Sequence, residues 1–158
     1  MTASPTEGTR APDFSLARDG GGTVSLAALQ GRGVVVFFYP RADTPGCTRE
    51  SMDFSRLRPE FERANTTVLG VSADAVAAQD KFKAKHDLSV ALASDPEHGM
   101  LNRYGVWGEK SMYGKKFMGI ERTTFLIDAE GMIRRVWHKV KVDGHAEEVL
   151  AAAQALKS

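Results

Sequence analysis

Val34-Val35-Val36-Phe37-Phe38 is the segment that most narrows what this chain can become. Five apolar residues, all β-branched or aromatic, run without a polar break, so the strand they predict needs cover on both faces. Such strands sit inside sheets with helices packed on them. Val68-Leu69-Gly70-Val71-Ser72 predicts a second strand of the same kind. A helix is expected after each strand: one from about Thr44 toward Ala64, and one from Ala75 to His86 with Val76 and Phe82 facing inward. Pro59 lies inside the first of these and is expected to interrupt and kink it.

The remaining segments fill in the topology. Pro12 to Leu16 and Thr23 to Leu26 flank Asp19-Gly20-Gly21-Gly22, a hairpin with a glycine turn. Val90 to Ala93 reads as a short extended piece, and Leu101 and Tyr104 mark another helical segment. Thr123 to Ile127 and Met132 to Trp137 flank Asp128-Ala129-Glu130-Gly131, a second hairpin signal. A last helix is expected near His145 to Leu156. Parallel strands with crossover helices, closed by a hairpin and a helix, predict a thioredoxin-like α/β fold. It has a central mixed sheet flanked by helices and an N-terminal β-hairpin extension. A flavodoxin-like sheet shares this order. It wants a glycine-rich phosphate loop after the first buried strand, and Thr44-Pro45-Gly46 is not one.

With 158 residues the chain is expected to form one domain, residues 11–158, behind a flexible tail of residues 1–10. A net charge of +1 gives no electrostatic case for nucleic acid or membrane binding. The longest apolar run, Val34 to Tyr39, is too short to span a bilayer. The first residues carry no basic and apolar export signal, and a lone cysteine suits a reducing compartment, so a cytoplasmic location is expected. No cofactor is called for. His86, His98, His138 and His145 are scattered without metal-ligand spacing and read as surface or helix-end residues. Lys110, Lys115 and Lys116 with Trp107, Tyr113 and Phe117 read as a basic-aromatic loop, a pocket wall or solvated surface rather than a nucleic-acid platform.

The lone cysteine, Cys47, stands at a helix start. Thr44 is a good N-cap, Pro45 fits the first helical position, and Cys47 is then the third. A thiolate there faces unpaired backbone N–H groups and the positive end of the helix dipole, which favour it over the thiol. Cys47, Phe54 and Phe61 recur every seven residues, so the sulfur lies on the apolar side of the helix. A free cysteine on such a face is more often inert packing, and the Thr-Pro-Gly-Cys start is what speaks for reactivity.

Five stretches carry a family resemblance. Ala11-Pro12-Asp13-Phe14-Ser15-Leu16, Phe37-Phe38-Tyr39-Pro40 and Thr44-Pro45-Gly46-Cys47-Thr48-Arg49-Glu50 resemble a peroxiredoxin. Tyr104 to Lys110 and Gly119 to Asp128 resemble the peroxiredoxin Q subfamily, the bacterioferritin comigratory proteins. The likeness implies reduction of hydrogen peroxide and organic hydroperoxides at Cys47, through a sulfenic acid. It implies that Thr44 holds the peroxide, Pro40 shields the pocket, Arg122 stabilises the thiolate and the polarised peroxide, and Glu50 orients the arginine. Full ionisation of an ordinary cysteine gains about thirtyfold, or about 2 kcal/mol, whereas enzymes lower barriers by about 8 kcal/mol or more. Positioning and charge stabilisation must therefore do most of the work.

Many relatives carry a resolving cysteine five residues on, where this chain has Met52, or on the next helix, around Lys83. The chain thus resembles a one-cysteine version that depends on an outside thiol: thioredoxin, glutaredoxin or glutathione. Oligomeric state is read as monomer or weak homodimer. The alternative from another class is a redox sensor or chaperone-like protein switched by Cys47 without turnover. With no internal thiol to trap the sulfenate, Cys47 is expected to overoxidise readily. Intact mass under large peroxide excess should show a gain of two oxygens that thiols do not reverse; a reversible adduct alone speaks against it.

Overall fold

The structure, a computed structural model, describes residues 4–157. β1 (Ser15–Arg18) and β2 (Thr23–Ser25) form the N-terminal hairpin, followed by β3 (Gly33–Phe38), α1 (Pro45–Arg63), β4 (Thr66–Ser72), α2 (Val76–His86) and β5 (Ala91–Ser94). Next come the short helix α3 (Gly99–Arg103), β6 (Trp107–Met112), β7 (Lys115–Ile120), β8 (Thr123–Ile127), β9 (Ile133–Trp137) and α4 (His145–Lys157). Seven strands make one sheet in the order β2-β1-β5-β4-β3-β8-β9. β3, β4 and β5 are parallel, and β1, β8 and β9 join antiparallel at the flanks. This is the expected mixed sheet, with the expected hairpin extension at one edge.

The apolar run of β3 divides between two cores. Val34, Val36 and Phe38 pack with Phe14, Met100, Tyr104 and Phe125 on one face of the sheet. Val35, Phe37 and Tyr39 pack with Phe54 and Phe61 of α1, Phe82 of α2 and Val149 of α4 on the other. Phe37 lies over Gly70, where an added Cβ would come within 2.7 Å of its ring. The turn from β1 to β2 uses the predicted glycines, with Gly20 and Gly21 at φ of 81° and 91°. It also buries Asp19, which accepts from Lys83 Nζ at 2.7 Å and from the Leu92 amide at 2.9 Å. Lys83, the position weighed for a second cysteine, thereby ties α2 to the hairpin.

Three expectations are corrected. The helix is not interrupted at Pro59 but runs through it to Arg63. Proline cannot donate to the Ser55 carbonyl four residues back. That carbonyl accepts instead from the Ser89 hydroxyl at 3.1 Å, while Ser55 Oγ takes the Ser89 amide at 3.0 Å. The stretch around Lys110 to Phe117 is not a loop but the two-stranded hairpin β6-β7, turned at Tyr113 and Gly114, with φ of 53° and 77°. Paired positive φ values are the mark of a tight hairpin turn. Of the four histidines, His145 is at a helix start as read, but it is buried. Residues 1–3 of the tail lie outside the described residues. From Gly8 the chain is tied to the start of β9: Gly8 donates to the Ile133 carbonyl and Ala11 to that of Gly131. Ser89→Ala should cost about 1 kcal/mol in urea unfolding by orphaning the Ser55 carbonyl, and a change within error would show that water replaces the hydroxyl.

Candidate active site

The register of the central strands assembles the site. Phe38 pairs with Thr123 in the antiparallel β3–β8 ladder, so the residue after β3 and the residue before β8 meet at the same end of the sheet. Arg122 is that residue, and its carbonyl accepts from the Val140 amide at 3.0 Å, which fixes its backbone. α1 starts at this same end. Thr44 is its N-cap, Pro45 opens it and Cys47 is its third residue, as read from sequence. Cys47 is 1% exposed and packs with Phe54 and Phe61, as its phase predicts.

Three of the predicted residues are in direct contact. Arg122 Nη2 donates to Cys47 Sγ at 3.2 Å, and Nη1 donates to Glu50 Oε1 at 2.6 Å. The arginine side chain is 17% exposed and the glutamate 1%. A buried ion pair with one partner removed typically costs about 3–5 kcal/mol, because the remaining charge is stranded. Each partner therefore fixes the other, and the guanidinium has one direction left for the sulfur. Arg122 is held above its usual pKa: burial opposes the charge, and Glu50 and Cys47 outweigh it.

Thr44 and Pro40 are placed differently. Pro40 is half-buried in the loop between β3 and α1. The Thr44 hydroxyl does not cap the helix amides; it donates backward to the Arg41 carbonyl at 2.8 Å. The first turn of α1 thus receives no hydroxyl from its N-cap, and its amides stay available near the sulfur. Arg49 leaves on another face and pairs with Asp143 at 2.6 Å. Met52 is 47% exposed and points away from the core.

Sequence reasoning missed several contributors. Gly46 matters for what it lacks: a Cβ there would sit 3.2 Å from Arg122 Nη2, so glycine leaves room for the guanidinium. A glycine beside a candidate thiol, where alanine suits a helix better, was the available signal. His145 accepts or donates at Nε2 with Thr124 Oγ1 at 2.8 Å, and meets the Phe54 and Trp137 rings edge-on. Asp43 is clasped by Lys85 Nζ at 2.9 Å and His86 Nε2 at 2.8 Å, tying the loop to the end of α2. Among the described residues no group of three or more His, Cys, Asp or Glu side chains could hold a metal.

Two buried groups titrate in opposite senses. Burial pushes the Glu50 carboxyl from 4.5 up to about 7, against the pull of Arg122. Between those values the folded chain keeps a proton that the unfolded chain has lost. Glu50 therefore favours folding below pH 4.5 and loses that contribution as pH rises through about 7. Burial pushes His145 from 6.5 down to about 4, so its contribution is present above pH 6.5 and lost as pH falls through about 4. The two slopes oppose each other across the shared window. Glu50→Gln should unmask a stability that climbs between pH 4 and 6.5, and His145→Gln one that falls between 4.5 and 7. Urea midpoints across that range check it; parallel profiles for the two variants would contradict it.

Residues 8–136 match the AhpC/TSA family. The putative peroxiredoxin bcp of Coxiella burnetii is 48% identical over 143 residues, which cover 90% of this chain and 95% of that protein. The peroxiredoxin Bcp of Xanthomonas campestris is 46% identical over 90% of this chain and 89% of its own. Among solved structures, a mutant of the peroxiredoxin PrxQ from Xylella fastidiosa superposes with a TM-score of 0.92 at 37% identity, with each chain covered in full (100%). The Xanthomonas campestris bacterioferritin comigratory protein, studied for alkyl peroxide reduction, gives 0.90 at 42% identity, covering 97% of this chain and 100% of that one. The chain belongs to the AhpC/TSA family, as a peroxiredoxin of the Bcp or peroxiredoxin Q kind, and is a thiol-dependent peroxidase.

Proposed function

We propose that Cys47 reduces hydrogen peroxide and organic hydroperoxides and is regenerated by an external thiol. The observation that carries this reading is the single guanidinium that touches both Cys47 Sγ and Glu50. The thiolate attacks one peroxide oxygen; an S–O bond forms as the O–O bond breaks. The departing oxygen takes the electron pair and a proton and leaves as water or alcohol, and Cys47 becomes a sulfenic acid. An outside thiol then condenses with the sulfenic acid, releasing water, and a second thiol frees Cys47 from the mixed disulfide.

Arg122 stabilises charge on sulfur and on the departing oxygen. Glu50 holds Arg122 in place. The Thr44 hydroxyl turns from the Arg41 carbonyl to the peroxide, and Pro40 screens the pocket from water. The alkyl peroxide activity of the Xanthomonas campestris relative supports organic hydroperoxides as substrates. A peroxiredoxin Q of Xanthomonas campestris was solved as two separate cysteine-to-serine mutants, whereas this chain has one cysteine, which supports an external resolving thiol. Thioredoxin, glutaredoxin and glutathione are the reductants proposed. The chain acts as one domain, residues 11–158, behind a short tail, as a monomer or weak homodimer in the cytoplasm. No helix among the described residues is long and apolar enough to cross a membrane.

Peroxide consumption with excess dithiothreitol tests the reading. Wild type should turn over many times and Cys47→Ser not at all. Arg122→Lys, which loses the two-armed contact, should be slower by roughly 10²–10³. A wild type that stops after one stoichiometric oxidation is a sensor, not an enzyme.

A further inference from the structure

The loop between β3 and α1 is bracketed by a circuit of hydrogen bonds, none of which is made to the Cys47 sulfur. The Tyr39 hydroxyl, fully buried, donates to Gln79 Oε1 at 2.5 Å. Gln79 is also fully buried, on α2, and its Nε2 donates to Ser72 Oγ at 3.0 Å and to the Ala93 carbonyl at 2.9 Å. Ser72 Oγ donates to Asp74 Oδ2 at 2.7 Å. The same carboxylate oxygen accepts the Ala42 backbone N–H at 2.7 Å. The circuit leaves the loop at Tyr39 and returns at Ala42, so Pro40 and Arg41 are spanned by it.

Its direction is fixed. The Ala93 carbonyl only accepts, so the Gln79 amide nitrogen must face it and the amide oxygen must face Tyr39. Ser72 then has its one proton left for Asp74, and an ionised Asp74 can only accept. The other tie on this loop, Asp43 with Lys85 and His86, lies at the surface, where ion pairs are screened and weakly held. Asp74 reaches backbone and is backed by two buried side chains. We propose that Asp74, oriented by Ser72 and Gln79, is a positioning residue for the peroxidase reaction: through the Ala42 amide it sets where Pro40 and Thr44 stand over Cys47. This rests on the peroxidase reading above.

The test compares two reactions of the same sulfur in the full-length chain: second-order oxidation by hydrogen peroxide and alkylation by iodoacetamide. Peroxide attack needs Thr44 and Pro40 in place, and alkylation does not. Asp74→Ala should lower the peroxide rate about tenfold to a hundredfold while alkylation stays within about twofold. Asp74→Asn keeps an acceptor for the Ala42 amide and should recover most of the rate. Ser72→Ala keeps Asp74 but loses its orienting proton; it should show a smaller selective loss, and it serves as the test if Asp74→Ala does not fold. Loss of both rates together, an unchanged peroxide rate, or failure of Asp74→Asn to recover overturns the assignment. A wild type that alkylates but never consumes peroxide overturns the peroxidase reading, and this assignment with it.

Discussion

A mostly buried guanidinium beside an apolar core is tolerated only when its charge is answered, and the Arg122–Glu50 pair answers it at 2.6 Å. Much of the site follows from that constraint. The β3–β8 register delivers Arg122 to the start of α1. Gly46 leaves the space that the guanidinium fills. Neighbouring His145, whose protonation Arg122 opposes, has its pKa lowered chiefly by burial and meets two aromatic rings edge-on. The sulfur is thus addressed by one positive group held in one orientation, which is what a transition state with charge moving along the S–O–O line requires.

The fold was legible wherever periodicity is strong. An unbroken Val-Val-Val-Phe-Phe run has few options besides a central strand, and the seven-residue recurrence of Cys47, Phe54 and Phe61 placed the sulfur on the buried side of α1. The β6-β7 hairpin was not legible. It forms a sheet of its own, both of its faces carry exposed side chains, and its turn puts Tyr113 in a left-handed conformation that a sequence pattern does not advertise. Pro59 misled for the opposite reason. A local rule was sound, but Ser89, thirty residues away in sequence, supplies the missing donor.

The catalytic types were readable because a helix start constrains them, whereas their supports were not. Glu50 and Arg122 were named through resemblance; only the structure joins them in one contact with Cys47. Gln79 and Asp19 are polar residues on a helix and a turn, and Ser72 ends a strand read as buried; all three are buried. Each is buried because it completes a hydrogen-bond circuit between elements far apart in sequence, and no local pattern records that. Helix α2 gathers most of these ties. Gln79 to Tyr39, Lys83 to Asp19, and His86 to Asp43 fasten its start, middle and end to the core, the hairpin and the active-site loop. Lys83, the position weighed for a second cysteine, is one of these fastenings.

The depth of the sulfur has a consequence for how copies of the chain meet one another. At 1% exposure Cys47 lies below the surface, and a disulfide needs the Cα atoms of its two cysteines within about 7 Å. Two folded molecules cannot bring their buried sulfurs that close. Covalent pairing through Cys47 therefore requires the first turn of α1 to open in both. Disulfide-linked dimers in an ageing sample then act as a molecular counter of that opening, recording a local excursion that leaves the rest of the sheet intact.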